Sequence, residues 1–132
     1  MSDDVGTRCD SLIRQLGGDI QDFSIAKRAQ FPHIPDRRYY VRGVALWAEL
    51  KEPAVSRPEA RAKNTSSRSA DQLTRGQFDF LLREHKANEI VFAGDYDMLF
   101  EMMRRAPSDW RRFGHECLAV IAARGFRKER AA

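Results

Sequence analysis

Residues 34 to 51, IPDRRYYVRGVALWAELK, constrain the fold of this chain more than any other stretch. Two apolar runs flank Arg42-Gly43, a pattern that predicts a β-hairpin with a tight turn. A two-residue turn at this point pairs Val41 with Val44, and a four-residue loop centred on the same point gives the same register. The pairing of every residue in the hairpin therefore follows from the position of its turn.

The open end of the hairpin is predicted to gather charged groups. Counting outward from the turn places Asp36 opposite Glu49, with β-carbons roughly 5 Å apart, and Lys51 on the same face. Opposed carboxylates repel each other, and Mg²⁺ or Mn²⁺ is the natural compensation because these ions prefer carboxylate oxygen. A lysine beside them can orient or deprotonate an attacking water, which suits phosphodiester hydrolysis. The alternative is a surface strand end whose Glu49 and Lys51 are merely solvated.

Pro35-Asp36 followed by Glu49-Leu50-Lys51 resembles the PD-(D/E)xK nuclease signature. The wider pattern resembles the VRR-NUC family of that superfamily, in its stand-alone bacterial and phage type. The further matching pieces are Leu16-Gly17-Gly18 at the end of a first helix, Arg37 directly after Pro35-Asp36, and Gln77 at the start of a later helix. The resemblance covers about residues 5 to 104.

The resemblance implies roles for particular residues. Asp36, Glu49 and the backbone carbonyl of Leu50 would bind Mg²⁺ or Mn²⁺, and Gln77 would support the catalytic lysine. Gln77 also lies three residues after Thr74, which is the pattern of a capping box, so a helix-starting role alone is the alternative. Family members usually carry an acidic residue early in the first helix that supports the metal site. Asp3, Asp4 and Asp10 are the candidates, and the choice among them stays open.

The resemblance also implies a substrate and an assembly. The expected substrate is DNA, with branched forms such as four-way junctions or flaps favoured, in replication, recombination or repair. The expected assembly is a homodimer. Two other classes remain open: a nuclease-like module that binds DNA or protein without cutting, and a small interaction protein built around its final helix.

Composition sets limits on these interpretations. The 132 residues predict a single domain, 42% hydrophobic and 32% charged, as in an ordinary globular protein. The net charge of +4, with an isoelectric point near 9.4, is compatible with nucleic acid. No apolar run reaches membrane-spanning length and the first residues do not resemble a signal peptide. The two cysteines are far apart, so a reduced cytoplasmic setting, in a bacterial or phage-infected cell, is expected.

The predicted fold class is α/β, with elements in the order αβββαβαα and a small mixed sheet. The first helix ends at Gly17-Gly18, a strand follows over residues 19 to 27, and the hairpin comes next. Helices then start at Thr74 and after Asp95, on either side of a short buried strand. An extra C-terminal helix over residues 107 to 125 is capped by Ser108, and residues 127 to 130 form a disordered basic tail.

Basic residues suggest where DNA would bind. Residues 52 to 73 are poor in apolar side chains and predict a long basic mobile loop that closes over DNA and becomes ordered on binding, with a mobile surface insertion as the alternative. The candidate phosphate contacts are Arg57, Arg61, Lys63 and Arg68 in this loop, Arg38 on the active face of the hairpin, and Arg75. A solvated surface position is the alternative for Arg38.

The final helix carries an apolar stripe that can cover the sheet or contact another subunit. The stripe consists of Trp110, Phe113, Cys117, Val120 and Ile121. The residues alone leave both alternatives open, and the resemblance favours the dimer.

Overall fold

The computed structural model describes residues 4–24, 31–54 and 70–128. The helices are α1 (Val5–Gln15), α2 (Arg75–Lys86), α3 (Tyr96–Arg104), a 3-10 helix (Pro107–Asp109) and α4 (Trp110–Ala122). The strands are β1 (Asp19–Asp22), β2 (Arg37–Val41), β3 (Val44–Leu50), β4 (Leu73–Thr74), β5 (Ile90–Gly94) and β6 (Phe126–Arg127). In the described ranges, every helix is too short or too polar to cross a membrane.

The central sheet has the strand order β1-β2-β3-β5. Its first three strands are antiparallel, and β5 runs parallel to β3. The predicted α/β class with a small mixed sheet is confirmed. Within the hairpin Val41 pairs with Val44, and both turn residues, Arg42 and Gly43, have positive φ angles of 53° and 79°. Positive φ at both positions is characteristic of the tight hairpin turn that suits the twist of two strands, so the predicted register is confirmed.

Alternating side chains of the sheet face two apolar clusters. Tyr39, Leu46 and Ala48 are fully buried in the cluster that includes Ile13 of α1 and Leu99 of α3. The opposite cluster joins Val91 and Ala93 of β5 to Leu81 of α2, with Trp47 packed against it. Because side chains alternate along a strand, Asp36 and Glu49 belong to the face of Trp47.

The C-terminal helix α4 packs on β5 of its own sheet. Gly114 lies so close to the carbonyl of Val91 that a β-carbon there would collide with it. Of the proposed dimer stripe, Trp110, Cys117 and Ile121 are buried, Phe113 is half-buried and Val120 is 52% exposed. The stripe therefore mainly covers the molecule's own core, as the first alternative predicted, and leaves Val120 as its one largely exposed residue.

Two predicted boundaries are wrong. The first strand ends at Asp22; residues 25–27 of its predicted span lie outside the described residues. Ser108 lies inside the 3-10 helix, and α4 follows with Asp109 as a cap residue whose side chain makes no capping hydrogen bond. The Asp109 carboxylate instead pairs with Arg105 at 3.0 Å.

A second, two-stranded parallel sheet was not predicted from the sequence. It pairs Leu73 with Phe126 and Thr74 with Arg127. Leu73 is fully buried, although it falls at the end of the predicted mobile loop. Arg127 lies in a strand, so the expectation of a disordered tail beginning there is wrong. This pairing brings the C-terminal segment to the start of α2.

Candidate active site

Asp36, Glu49 and Lys51 meet at the open end of the hairpin. Asp36 immediately precedes β2, and its Oδ2 accepts a hydrogen bond from the backbone N–H of Leu50 at 2.9 Å. Lys51 Nζ lies 3.3 Å from Oε2 of Glu49. The backbone N–H of Lys51 donates to the carbonyl of Gly94 at 2.8 Å, which extends the pairing of β3 with β5 past the end of the strand. The structure thus brings together the three side chains that the register predicts.

The Glu49–Lys51 ion pair is buried. The side chains are 2% and 5% exposed, respectively. A charged group is kept in such a position only when it is paired or hydrogen-bonded, because its hydration is lost. The alternative interpretation, a strand end whose Glu49 and Lys51 are solvated, is therefore wrong.

An open cleft of about 510 Å³ contains the predicted metal ligands. The described residues that line it are Val5, Ser24, Asp36, Glu49, Leu50, Lys51, Glu52, Ala70 and Arg127. They come from the start of α1, the segment after β1, the open end of the hairpin, the segment before β4, and β6. The cleft therefore depends on packing between distant parts of the chain.

Gln77 has the predicted capping role. Its backbone N–H donates to Oγ1 of Thr74 at 3.1 Å, and its Oε1 accepts from the backbone N–H of Thr74 at 3.0 Å. The side chain is buried, and it is not among the described residues that line the cleft. The capping box is confirmed, while the supporting role beside Lys51 stays a prediction.

The early acidic residues have structural contacts where the structure describes them. Asp4 caps α1, and the hydrogen bond from the backbone N–H of Thr7 lowers the pKa of its carboxyl. Asp10 accepts from Arg37 Nε at 3.0 Å and from the Tyr39 hydroxyl at 2.7 Å. Burial, followed by that hydrogen bond, raises the pKa of Tyr39.

Asp4 thus caps α1, and Asp10 belongs to a partly buried network with Arg37 and Tyr39, which alternate with Asp36 and so face the other side of the sheet. Within the described ranges neither Asp4 nor Asp10 lines the cleft. Asp3 lies outside those ranges.

The candidate DNA contacts have different environments. Arg38 is half-buried, pairs with Glu89 at 2.9 Å and lies over the Trp47 ring at 4.6 Å. Arg75 is 68% exposed and pairs with Asp79 at 3.3 Å. The loop candidates Arg57, Arg61, Lys63 and Arg68 lie outside the described residues. DNA binding by any of these residues stays a prediction.

Arg127 is a cleft residue that the sequence did not reveal. It reaches the cleft through the two-residue pairing of β6 with β4. Strands this short have no periodic pattern, and the neighbouring basic residues resemble a solvated tail.

The donor groups of the cleft fit a hard divalent cation. Asp36 and Glu49 supply carboxylates, and the Leu50 carbonyl is the third predicted oxygen donor. Across the part of the chain that the structure describes, no three His, Cys, Asp or Glu side chains come together as a metal-binding group. Mg²⁺ usually needs only one or two carboxylates, because it keeps several waters and binds substrate phosphate. The residues present are therefore sufficient for an ion of this class.

Comparisons with known proteins give a structural match. No protein-family model matches the chain, and no curated protein matches its sequence. A solved structure described as a VRR_NUC domain is similar to this chain, with a TM-score of 0.51 and 19% sequence identity. The match covers 76% of this chain and 91% of that one. The chain therefore has the fold of a VRR_NUC domain.

Proposed function

We propose that this protein is a metal-dependent nuclease that hydrolyses phosphodiester bonds in DNA. The observation that carries the proposal is the position of Asp36, Glu49, Leu50 and Lys51 along one cleft at the end of the hairpin. The fold of a VRR_NUC domain supports it. The positive net charge is favourable for a polyanionic substrate.

Asp36, Glu49 and the Leu50 carbonyl would hold Mg²⁺ or Mn²⁺. An ionised carboxylate has about four lone-pair positions, so an oxygen that accepts one hydrogen bond keeps capacity for a ligand. The Leu50 and Lys51 contacts of the two carboxylates are therefore compatible with metal binding. When bound, the ion supplies Lewis acidity that stabilises charge developing on the phosphate.

Lys51 would orient the attacking water as an ammonium group, or deprotonate it after losing its own proton. Its ion pair with Glu49 holds the ammonium group in the cleft wall rather than in solvent. The water oxygen forms a bond to phosphorus and gives up one proton, to the neutral amine of Lys51 or to solvent. The bond from phosphorus to the leaving sugar oxygen breaks, and that oxygen takes up a proton from solvent. Such proton-transfer or positioning roles are typically worth about 10²- to 10⁴-fold in rate. We propose that Gln77 supports Lys51 in addition to capping α2.

Branched DNA is the proposed substrate, as a four-way junction or a flap, in replication, recombination or repair. Symmetric resolution of a junction requires two cuts, whereas this chain has one proposed site. A two-fold homodimer supplies two sites related by the symmetry of the junction itself. We therefore propose that the protein acts as a homodimer in the cytoplasm.

The decisive experiment compares labelled DNA with and without divalent metal. The wild-type protein should cut four-way junctions and flapped duplexes when Mg²⁺ or Mn²⁺ is added, and a chelator should stop the reaction. Asp36→Asn should abolish cutting yet leave the fold intact, because the asparagine oxygen can still accept the Leu50 N–H. Melting curves with and without Mn²⁺ should show that metal stabilises the wild type more than this variant.

Glu116→Gln is the matched control. It also removes one carboxylate, but Glu116 lies on the surface of α4 and pairs only with the exposed Arg112 among the described residues. Its cutting rate should equal that of the wild type. Cutting by Asp36→Asn at the wild-type rate would contradict the assignment of the site, and no cutting by the wild type under any metal condition would contradict the nuclease itself.

A further inference from the structure

Arg127 is held beside the proposed catalytic residues by the second sheet. Gly125, with φ of +91°, follows α4 and allows the chain to turn into β6. Phe126 packs its ring against Phe78 of α2, with centroids 5.4 Å apart. Parallel pairing with Thr74 then fixes the backbone of Arg127 next to the capping box of α2. The arginine is thus attached to a defined position in the fold.

Contacts behind β6 strengthen this attachment. The side chain of Gln72 donates to the carbonyl of Arg124 at 2.8 Å. Arg124 in turn donates to the carbonyl of Asp71 at 3.1 Å. These two hydrogen bonds join the segment after α4 to the segment before β4. Both strands of the second sheet, which carries Arg127 to the cleft, are therefore held together next to their first residues.

The guanidinium group of Arg127 has unused hydrogen-bonding capacity. Its Nε is buried and has no hydrogen-bond partner among the described residues. By contrast, the half-buried Arg37 uses its guanidinium group on both Asp10 and Asp22. A buried donor without a partner costs free energy, so a group of this kind is suited to an acceptor that arrives with a ligand.

The position and chemistry of Arg127 lead to a specific ligand. We propose that Arg127 donates hydrogen bonds to the non-bridging oxygens of the phosphate that is being cut. This inference rests on the proposed nuclease function. The planar fork of an arginine matches a phosphate group, and the side chain lines the same cleft as Asp36, Glu49 and Lys51. If Asp36 and Glu49 held a divalent cation, their charges would be balanced, and Lys51 and Arg127 would outweigh Glu52, so the described lining of the cleft would be net positive, which favours a phosphodiester.

The test uses three variants and two separate measurements. Arg127→Ala removes the hydrogen-bond donors, and Arg127→Lys keeps the positive charge without the planar guanidinium group. Lys128→Ala is the matched control, because it removes one positive charge from the adjacent exposed position. In the cutting assay Arg127→Ala should lower kcat about 10²- to 10³-fold, as loss of one transition-state donor does. Arg127→Lys should recover part of that loss, and Lys128→Ala should cut at the wild-type rate.

The second measurement does not depend on cutting. Duplex binding is followed by fluorescence anisotropy as a function of salt, with every variant made in the Asp36→Asn background and without metal. Each lost phosphate contact lowers the slope of log affinity against log salt by about 0.9. Arg127→Ala should show this decrease, whereas Lys128→Ala should keep the parent slope.

The outcomes separate this inference from the nuclease proposal. The wild-type protein could fail to cut DNA while the salt slope decreases only in Arg127→Ala. That result would overturn the proposed nuclease function and retain the contact of Arg127 with phosphate. Normal cutting and an unchanged slope in Arg127→Ala would overturn the phosphate contact and retain the nuclease. Equal slope decreases in Arg127→Ala and Lys128→Ala would also overturn it, because general charge would then account for both. A lower melting temperature of Arg127→Ala, without a change in slope, would assign Arg127 to structure alone.

Discussion

At the scale of single residues, the buried pair of Glu49 and Lys51 determines what substitutions in the cleft will do. Repulsion between Asp36 and Glu49 predicts that loss of either carboxylate stabilises the protein without metal. The pairing found in the structure predicts the opposite for Glu49, because the buried Lys51 ammonium would lose the carboxylate that lies 3.3 Å from it. Removal of one partner of a buried ion pair costs about 3–5 kcal/mol.

We therefore expect Glu49→Gln to lose cutting and also to lower the free energy of unfolding, unlike Asp36→Asn. Urea denaturation of the two variants without metal would measure the difference. A double variant, Glu49→Gln with Lys51→Met, should regain much of the lost stability, because both members of the buried ion pair are then uncharged. Equal stability of Glu49→Gln and the wild type would show that the pair is hydrated in solution.

At the scale of secondary structure elements, the start of α2 has two roles that can be separated. Thr74 and Gln77 exchange hydrogen bonds in the capping box, so Thr74→Ala and Gln77→Ala should each lower the free energy of unfolding by about 1 kcal/mol. If Gln77 also supports Lys51, only Gln77→Ala should show a large additional loss of cutting. Denaturation curves and cutting rates of the two variants give this comparison. Equal cutting rates of Thr74→Ala and Gln77→Ala would limit the role of Gln77 to capping α2.

The contact of α4 with β5 leads to a prediction about stability. Ala has a better helix propensity than Gly by about 1 kcal/mol, so Gly114→Ala would stabilise an isolated helix. In this protein the added methyl group collides with the carbonyl of Val91, which is backbone and cannot rotate away. We expect a net loss of about 1–3 kcal/mol in urea unfolding. Val120→Ala, at an exposed position of the same helix, should change stability by less than about 0.5 kcal/mol.

The same elements show why part of the site could be predicted from sequence. The hairpin has alternating apolar residues and a turn that accepts positive φ at Arg42 and Gly43, so its register, and hence the meeting of Asp36 with Glu49, follows from local chemistry. The contact between Thr74 and Arg127 is non-local and involves only one residue pair beyond Leu73 and Phe126. Strands of two residues have no measurable period, so that part of the cleft was inaccessible to pattern arguments.

At the scale of the whole molecule, the cleft unites parts of the chain that are distant in sequence. Val5 comes from the first turn of α1, Glu49 and Lys51 from the central hairpin, and Arg127 from the last strand. The sheet and α4 share a continuous core, in which Leu46, Phe92 and Trp110 are fully buried. The geometry of the proposed site therefore depends on the folding of α4 and β6 as well as on the hairpin.

The assembly is the remaining prediction at this scale. We expect two copies to act together on a four-way junction, because each copy has one proposed site and the junction requires two symmetric cuts. We expect the dimer contact to lie outside the stripe on α4, since α4 packs on β5 and only Val120 of the stripe remains largely exposed. Light scattering at micromolar concentration should give the mass of a dimer for the wild type and also for Val120→Arg. A monomeric mass for Val120→Arg, with a dimeric wild type, would place the interface on α4. A strictly monomeric wild type that cuts flapped duplexes would contradict the junction proposal and indicate a structure-specific flap nuclease instead.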